Sequence, residues 1–444
     1  MRYRWIGAGL ALVLAAFSVT VLSLPHALAG SDSPSAWRMV GQIGGPTQVV
    51  AVQGEYAYVG VGLRLVVLDV SNPTNPTEVG STAPFPYFVE DIAVSGTLAY
   101  VAAGGAGLRV VNVSDPTHPL ELGAWDSPGY AEGVAVAGST VYLADGPYGL
   151  RVVDVTDPVH PRPLGSAYDM DYAFDVAVSG PLVYIAAAGA GLLVVDVADP
   201  SQPRELATLD TPGYAQGLAV DRAEVYIADE WEGIQVVDVS DPANPSLVRH
   251  WYPDGWAFGV SVIGGRVYVA AGFAGLRLYD VTPTGPVELG AHTVTGGHAG
   301  SIAVAGQLAL VADSNWGLRI VSVADSMNPT QLGSYRPLSQ GYRLVVQDGV
   351  GAVAAGPYGL RMIDFAEPSR PVEVGTYDIG SVASSVAVSG HFAYVSGPPG
   401  PHVGLNVIDI ADPRHPVRVG LYQGFGECRD LAVSADIAYL ATGD

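Results

Sequence analysis

Phe88, Tyr130, Tyr172, Tyr214, Trp256 and His298 follow one another at intervals of 42 residues, and Tyr148, Trp231, Phe273, Trp316 and Tyr358 recur in a second register. Rings set at a fixed interval could grip sugar faces, cations or a protein partner. The other reading of the same rings is that they pack between repeats and seal a face. Carboxylates form the second set. Asp145, Asp229 and Asp313 stand 84 residues apart and alternate with Ala103, Ala187, Ala271 and Ala355, while Glu90, Asp91, Glu132, Glu230 and Glu232 add charge nearby. Two of Glu90, Glu132, Asp145 and Asp229 held within about 10 Å would suit a glycosidase-type hydrolase or a lyase. A turn Asp that bonds its local backbone is the plainer role. Asp169, Asp171 and Asp175 place three carboxylates in one loop, as calcium requires, but without the glycine and distal glutamate of a calcium loop. No other metal or cofactor is expected.

The remaining chemistry is sparse. His118, His160 and His415 each precede a proline in the same turn of different repeats, so no two of them converge on a metal. The G-x-S-x-G elbow, H-E-x-x-H, the P-loop and paired-cysteine zinc patterns are absent from the sequence, and no catalytic residue is assigned. Arg64, Arg109, Arg151, Arg277, Arg319 and Arg361 recur with the repeat and are expected to pair with carboxylates of a neighbouring repeat.

What must position these residues is a short phrase restated along the chain. Asp69, Asn112, Asp154, Asp196, Asp238, Asp280, Ser322, Asp364 and Asp409 occupy one place in successive copies, with a period near 42. The unit from Gly133 to Asp169 reads as four short strands, GVAVAG, STVYLADG, GLRVVDVTD and PRPLGSAYD, termed A to D below. Within that unit a glycine or proline breaks every run before ten residues, so no helix-length segment appears in it. Four-stranded units of this length predict an all-β fold, a β-propeller of four-stranded antiparallel blades, with nine full repeats and a partial tenth. In such a ring the D-to-A and B-to-C connections share one face, which carries the aromatic and acidic residues above. Small residues in the middle of strand A, such as Ala135, Ala177 and Ala219, suit the crowded axis.

The phrases LVVLDVSNP (Leu65 to Pro73), RVVNVSDP, RVVDVTDP, LVVDVADP and NVIDIADP resemble the LVIVD repeat of bacterial and archaeal cell-surface proteins. The resemblance runs over essentially everything after residue 29. It implies a propeller, a surface location and a binding role, and it brings no catalytic residues. Two copies depart from it, with Ser322 in place of Asp and VTPTGP after Asp280.

Residues 1–29 read as a signal peptide: Arg2 and Arg4, an apolar run from Trp5 to Leu24, then Ala27-Leu28-Ala29. Residues 30–444 read as a single propeller domain, secreted or held at the cell surface, with no membrane insertion beyond the signal. A net charge of −23, with arginine as the only basic type besides histidine, repels nucleic acid and favours a protein or glycan partner. Cys428 stands alone, so packing and not disulfides must hold the fold. Trp37 to Ile43 reads as a strand D and 430–444 as strands A and B only, so closing the ring through these ends would lack one strand C. The chain is therefore expected to be truncated or to leave an open edge.

Overall fold

The computed structural model describes residues 19–23, 38–43, 46–167, 172–282, 285–293, 297–314, 316–335, 343–347, 349–366, 371–396, 404–422, 428–434 and 437–442. Every regular element among them is a strand, and they form nine four-stranded antiparallel sheets in chain order. Residues 46–337 make one compact unit and 338–444 another.

The sheet of Gly133–Ala137, Thr140–Ala144, Leu150–Asp154 and Arg162–Ala167 shows how the sequence sets a blade. Strands A and B pair in unbroken register from Gly133 opposite Ala144 to Ala137 opposite Thr140. Strand C is buried on both faces because it lies mid-blade between two neighbours, which is why Val152-Val153 does not alternate with polar residues. Strand D carries a bulge, so that Val152 faces Gly165 while Val153 faces Pro163. The Asp-Pro turn before it is self-capped. Asp154 accepts the Thr156 N–H at 2.9 Å and Asp157 that of Val159 at 3.1 Å.

That turn also joins blades. A Cβ on Gly123, in strand D of the preceding blade, would stand 2.4 Å from the Pro158 carbonyl oxygen, so the bulge position must stay small for the next turn to seat. The same approach recurs from Gly80 to Pro116, Gly165 to Pro200 and Gly290 to Ser326.

The core of the first unit lies between blades. Seven buried clusters each draw on two adjacent sheets, and one of them combines Val59, Val66 and Leu68 of the first sheet with Leu310, Leu318 and Ile320 of the seventh. Strands A lie side by side around the axis, with 301–305 against 47–53. A ladder of bridges crosses successive blades at Gly104–Ala131, Gly146–Ala173, Ala188–Ala215, Glu230–Ala257 and Gly272–Ala299. At Ser314 the partner is Thr47 of the first blade. Seven sheets therefore close a ring by themselves.

Closure does not run through the chain ends, which were expected to fall one strand C short and leave an open edge. Arg38–Ile43 is a strand as read, but it pairs with Val19–Ser23. The second unit holds the sheets at 343–377 and 385–422 and a strand pair, Cys428–Ser434 with Ile437–Thr442. The strand-C arginines also differ from expectation, because they pair within their own repeat. Arg109 reaches Asp126 at 2.6 Å, Arg277 reaches Glu288 at 3.1 Å and Arg361 reaches Glu373 at 2.7 Å. Arg151 and Arg319 reach instead the aspartate of their own B-to-C turn, Asp145 at 3.4 Å and Asp313.

Candidate ligand-binding face

The inter-blade bridges join each B-to-C turn to the D-to-A segment of the next blade, so these connections share one face of the seven-bladed ring. The residue just before or at the start of strand A faces the axis. Gln48, Glu90, Glu132, Phe174, Gln216, Phe258 and Gly300, one per blade, line an axial cavity of about 290 Å³ together with Asp91 and Asp175. No arginine or histidine lines it.

Four of the mouth residues meet the residue 40 positions on. The Tyr130 hydroxyl donates to Glu90 at 2.7 Å, and that of Tyr172 to Glu132 at 2.8 Å. Phe174 packs on Tyr214 with centroids 5.5 Å apart, and Phe258 on His298 at 4.7 Å. Tyr130, Tyr172 and Tyr214 are consequently half-buried and hold the mouth in shape.

Other rings point outward. Tyr148, Trp231, Trp256 and Phe273 are exposed, and Phe273 reaches 76 %. Trp231 stacks on Tyr214 at 6.4 Å, continuing the path of rings from the mouth outward. Trp316 is half-buried over Arg319. Tyr358 belongs to the second unit, where it lies over Arg361, and takes no part in this ring. Two exposed rings beside these, Tyr87 and Tyr252, had no 42-residue partner to reveal them. Phe174 and Phe258 carried the signal that Glu90 and Glu132 carried, since all four fall in one 42-residue series.

The carboxylates divide by function. Asp145, Asp229 and Asp313 are fully buried. Asp145 accepts from the Ser127 hydroxyl at 2.5 Å and the Gly129 N–H at 3.0 Å, and Asp229 from Thr211 at 2.7 Å and Gly213 at 2.9 Å. Asp313 pairs with Arg319 and accepts the His298 N–H. Each thus pins a B-to-C turn to the loop that enters the same blade. Burial raises their pKa values, and the bonds and neighbouring donors oppose it.

Asp91 and Asp175 bridge blades at the mouth. Asp91 accepts the N–H of Ile92 and of Val134, each at 2.8 Å, and Asp175 those of Val176 at 2.7 Å and Leu218 at 2.8 Å. These bonds engage both oxygens of Asp175, the one calcium candidate that is described. Asp169 and Asp171 lie outside the described residues, and among those described no three His, Cys, Asp or Glu side chains are grouped to hold a metal.

Electrostatically the mouth is strained. Burial raises the carboxyls of Glu90, Asp91 and Asp175, and for Asp91 the charge of Asp175 adds to it. Burial and then the Glu90 charge push Glu132 up to about 7. On the other face of the ring His118 and His160, and in the second unit His415, are exposed and contact their own turn aspartates at 2.8–3.0 Å.

Segments 44–83, 88–127, 128–169, 171–211, 212–251, 296–336, 352–379 and 380–424 match the model of the LVIVD repeat. The chain belongs to the LVIVD repeat family. The match to the LVIVD model passes over 252–295, the stretch that holds the sixth blade with its VTPTGP turn. No curated protein matches the chain. Among solved structures it is similar to the computationally designed Ika8 protein, at 12 % identity and a TM-score of 0.52, over 72 % of this chain and 96 % of that one. At that identity the likeness speaks for the fold alone.

Proposed function

We propose that this LVIVD-repeat protein is an exported, cell-surface binding module without catalysis of its own, which takes a protein or glycan partner on the face just described. The observation that carries the reading is one of placement. Every exposed aromatic side chain among the described residues of the seven-bladed unit lies on that face, around a mouth lined by Glu90, Asp91, Glu132 and Asp175. Rings beside uncompensated carboxylates favour a basic protein segment over a neutral glycan, because both attract cations. The signal-like residues 1–29 and the charge of −23 support export and argue against nucleic acid. The test replaces Tyr148, Trp231, Trp256 and Phe273 by Ala together and measures binding to arrays of basic peptides and glycans. Loss of binding with an unchanged fold is expected, and parental binding by the folded variant would refute the assignment of the face.

A second reading, a secreted hydrolase or lyase, draws on Glu90 and Glu132 sharing one cavity, with Glu132 raised into the range of a general acid. It requires turnover of a glycoside panel that Glu132→Gln abolishes. Equal turnover by parent and variant, or none by either, removes it.

A further inference from the structure

The opposite face, which carries the A-to-B and C-to-D turns, holds a larger cavity of about 470 Å³ between the fifth and sixth blades. Asp221, Arg222, Glu224, Tyr226 and Arg249 of the fifth blade line it, with Gly265, Val281 and Thr282 of the sixth. Its volume is within the range of small-molecule sites, roughly 300–1,000 Å³.

Four departures from the repeat converge there. The first is the turn. Elsewhere in the ring a seven-residue proline turn, such as Val155 to Pro161, seats on the preceding strand D, whereas in the sixth blade strands C and D stay paired as far as Thr282 opposite Gly285. The second is the position at the bulge of the fifth blade's strand D, Arg249, where the other blades of the ring have glycine or, once, Ala207. Arg249 shares the cavity wall with Gly265, Val281 and Thr282 of the sixth blade. The third is Arg222. It adopts φ 58° at a turn position filled in every other blade of the ring by a left-handed glycine, such as Gly180 or Gly264. A β-carbon is unfavourable in that conformation, so local folding does not select arginine there. The fourth is Glu224, which accepts from both Arg249 and the Tyr226 hydroxyl, the latter at 2.7 Å.

The charges do not all cancel internally. Glu224 is matched by Arg249, but Asp221 and Arg222 have no ion-pair or side-chain hydrogen-bond partner among the described residues. One acidic and one basic group therefore stand unpaired on a cavity whose other walls are Ala223, Gly265 and Val281. A polyanion or a polycation would meet one of them as a like charge. A molecule that carries both signs meets neither.

We propose that this cavity binds a small zwitterion of the amino-acid class, with its carboxylate on Arg222 and Arg249, its ammonium on Asp221 and a side chain against the apolar wall. The inference concerns the face opposite the one assigned above, and either can fail without the other. The test is calorimetry on the whole chain with L-leucine and L-phenylalanine, with N-acetyl-leucine and leucinamide as controls that each lack one charge. Saturable binding of the free amino acids, weaker by tenfold or more for both controls, is expected. Arg222→Gly and Arg249→Ala restore residues that other blades use, so both should keep the parental melting temperature or raise it while weakening binding at least tenfold. The proposal is overturned if neither amino acid binds, if N-acetyl-leucine binds as tightly as leucine, which would mark a simple oxyanion site, or if both variants bind like the parent.

Discussion

The Thr47 N–H donates to the Ser314 carbonyl oxygen at 2.8 Å, joining the start of the first blade to the B-to-C turn of the seventh. In the chain's own register the partner of Ser314 would fall at position 341, 42 beyond Ala299. Its replacement by Thr47 is what makes residues 46–337 a ring.

A fragment of 46–337 should therefore fold alone. Its far-ultraviolet circular dichroism should be all-β and its unfolding by urea a single cooperative transition. A fragment ending at residue 293 lacks the seventh blade, bares the first and sixth, and should aggregate or unfold without cooperativity.

Gly333 makes the closing contact on the outer side, where an added Cβ would stand 2.2 Å from the Pro73 carbonyl oxygen. Gly333→Val should destabilise that fragment by about 1–3 kcal/mol, read from the urea midpoint. The same change at Gly54 of the same fragment, whose φ is +62° and whose Cβ would meet nothing within 4 Å, tests backbone strain without a clash.

Asp229→Ala should cost on the order of 1–3 kcal/mol, because the buried Thr211 hydroxyl and the Gly213 N–H lose their acceptor, partly offset by removal of a buried charge. Asp229→Asn keeps one acceptor oxygen and should cost less. Equal costs would place the effect in shape and not in hydrogen bonding.

The mouth makes stability depend on pH. Glu132 is raised from 4.5 to about 7, so the folded state holds its proton where the unfolded chain has released it. Its contribution is full below pH 4.5 and is lost as pH rises to about 7, and the raised Glu90, Asp91 and Asp175 act in the same direction. Glu132→Gln should flatten this decline and exceed the parent in stability at pH 8 by on the order of 1–3 kcal/mol. An unchanged pH profile would mean that the carboxyl is solvated.

The blade was legible because strand period, turn chemistry and repeat length all state the same unit. Strand C around Val152-Val153 and the small strand-A residues fell where they were read. Closure was not legible, since every blade offers the same edges and nothing local in Ser314 or Thr47 says which copy will pair. The site was legible in part. The 42-residue series found Tyr130, Tyr172 and Tyr214, but period alone does not separate a ring leaning on Glu90 or Phe174 from one facing water, as Trp256 does. The arginines misled for a related reason: a residue that recurs in every repeat could face its own strand D or the next blade, and only the register across C and D decides.

The buried aspartates at 145, 229 and 313 mark alternate blades, and seven is an odd number. A two-blade rhythm carried round such a ring cannot return in phase, so two blades of one kind must meet. Those are the first and second, which carry Val61 and Ala103 at the place of the aspartate. The seven-bladed ring therefore has a built-in seam, a fixed point of reference among blades that otherwise nearly repeat.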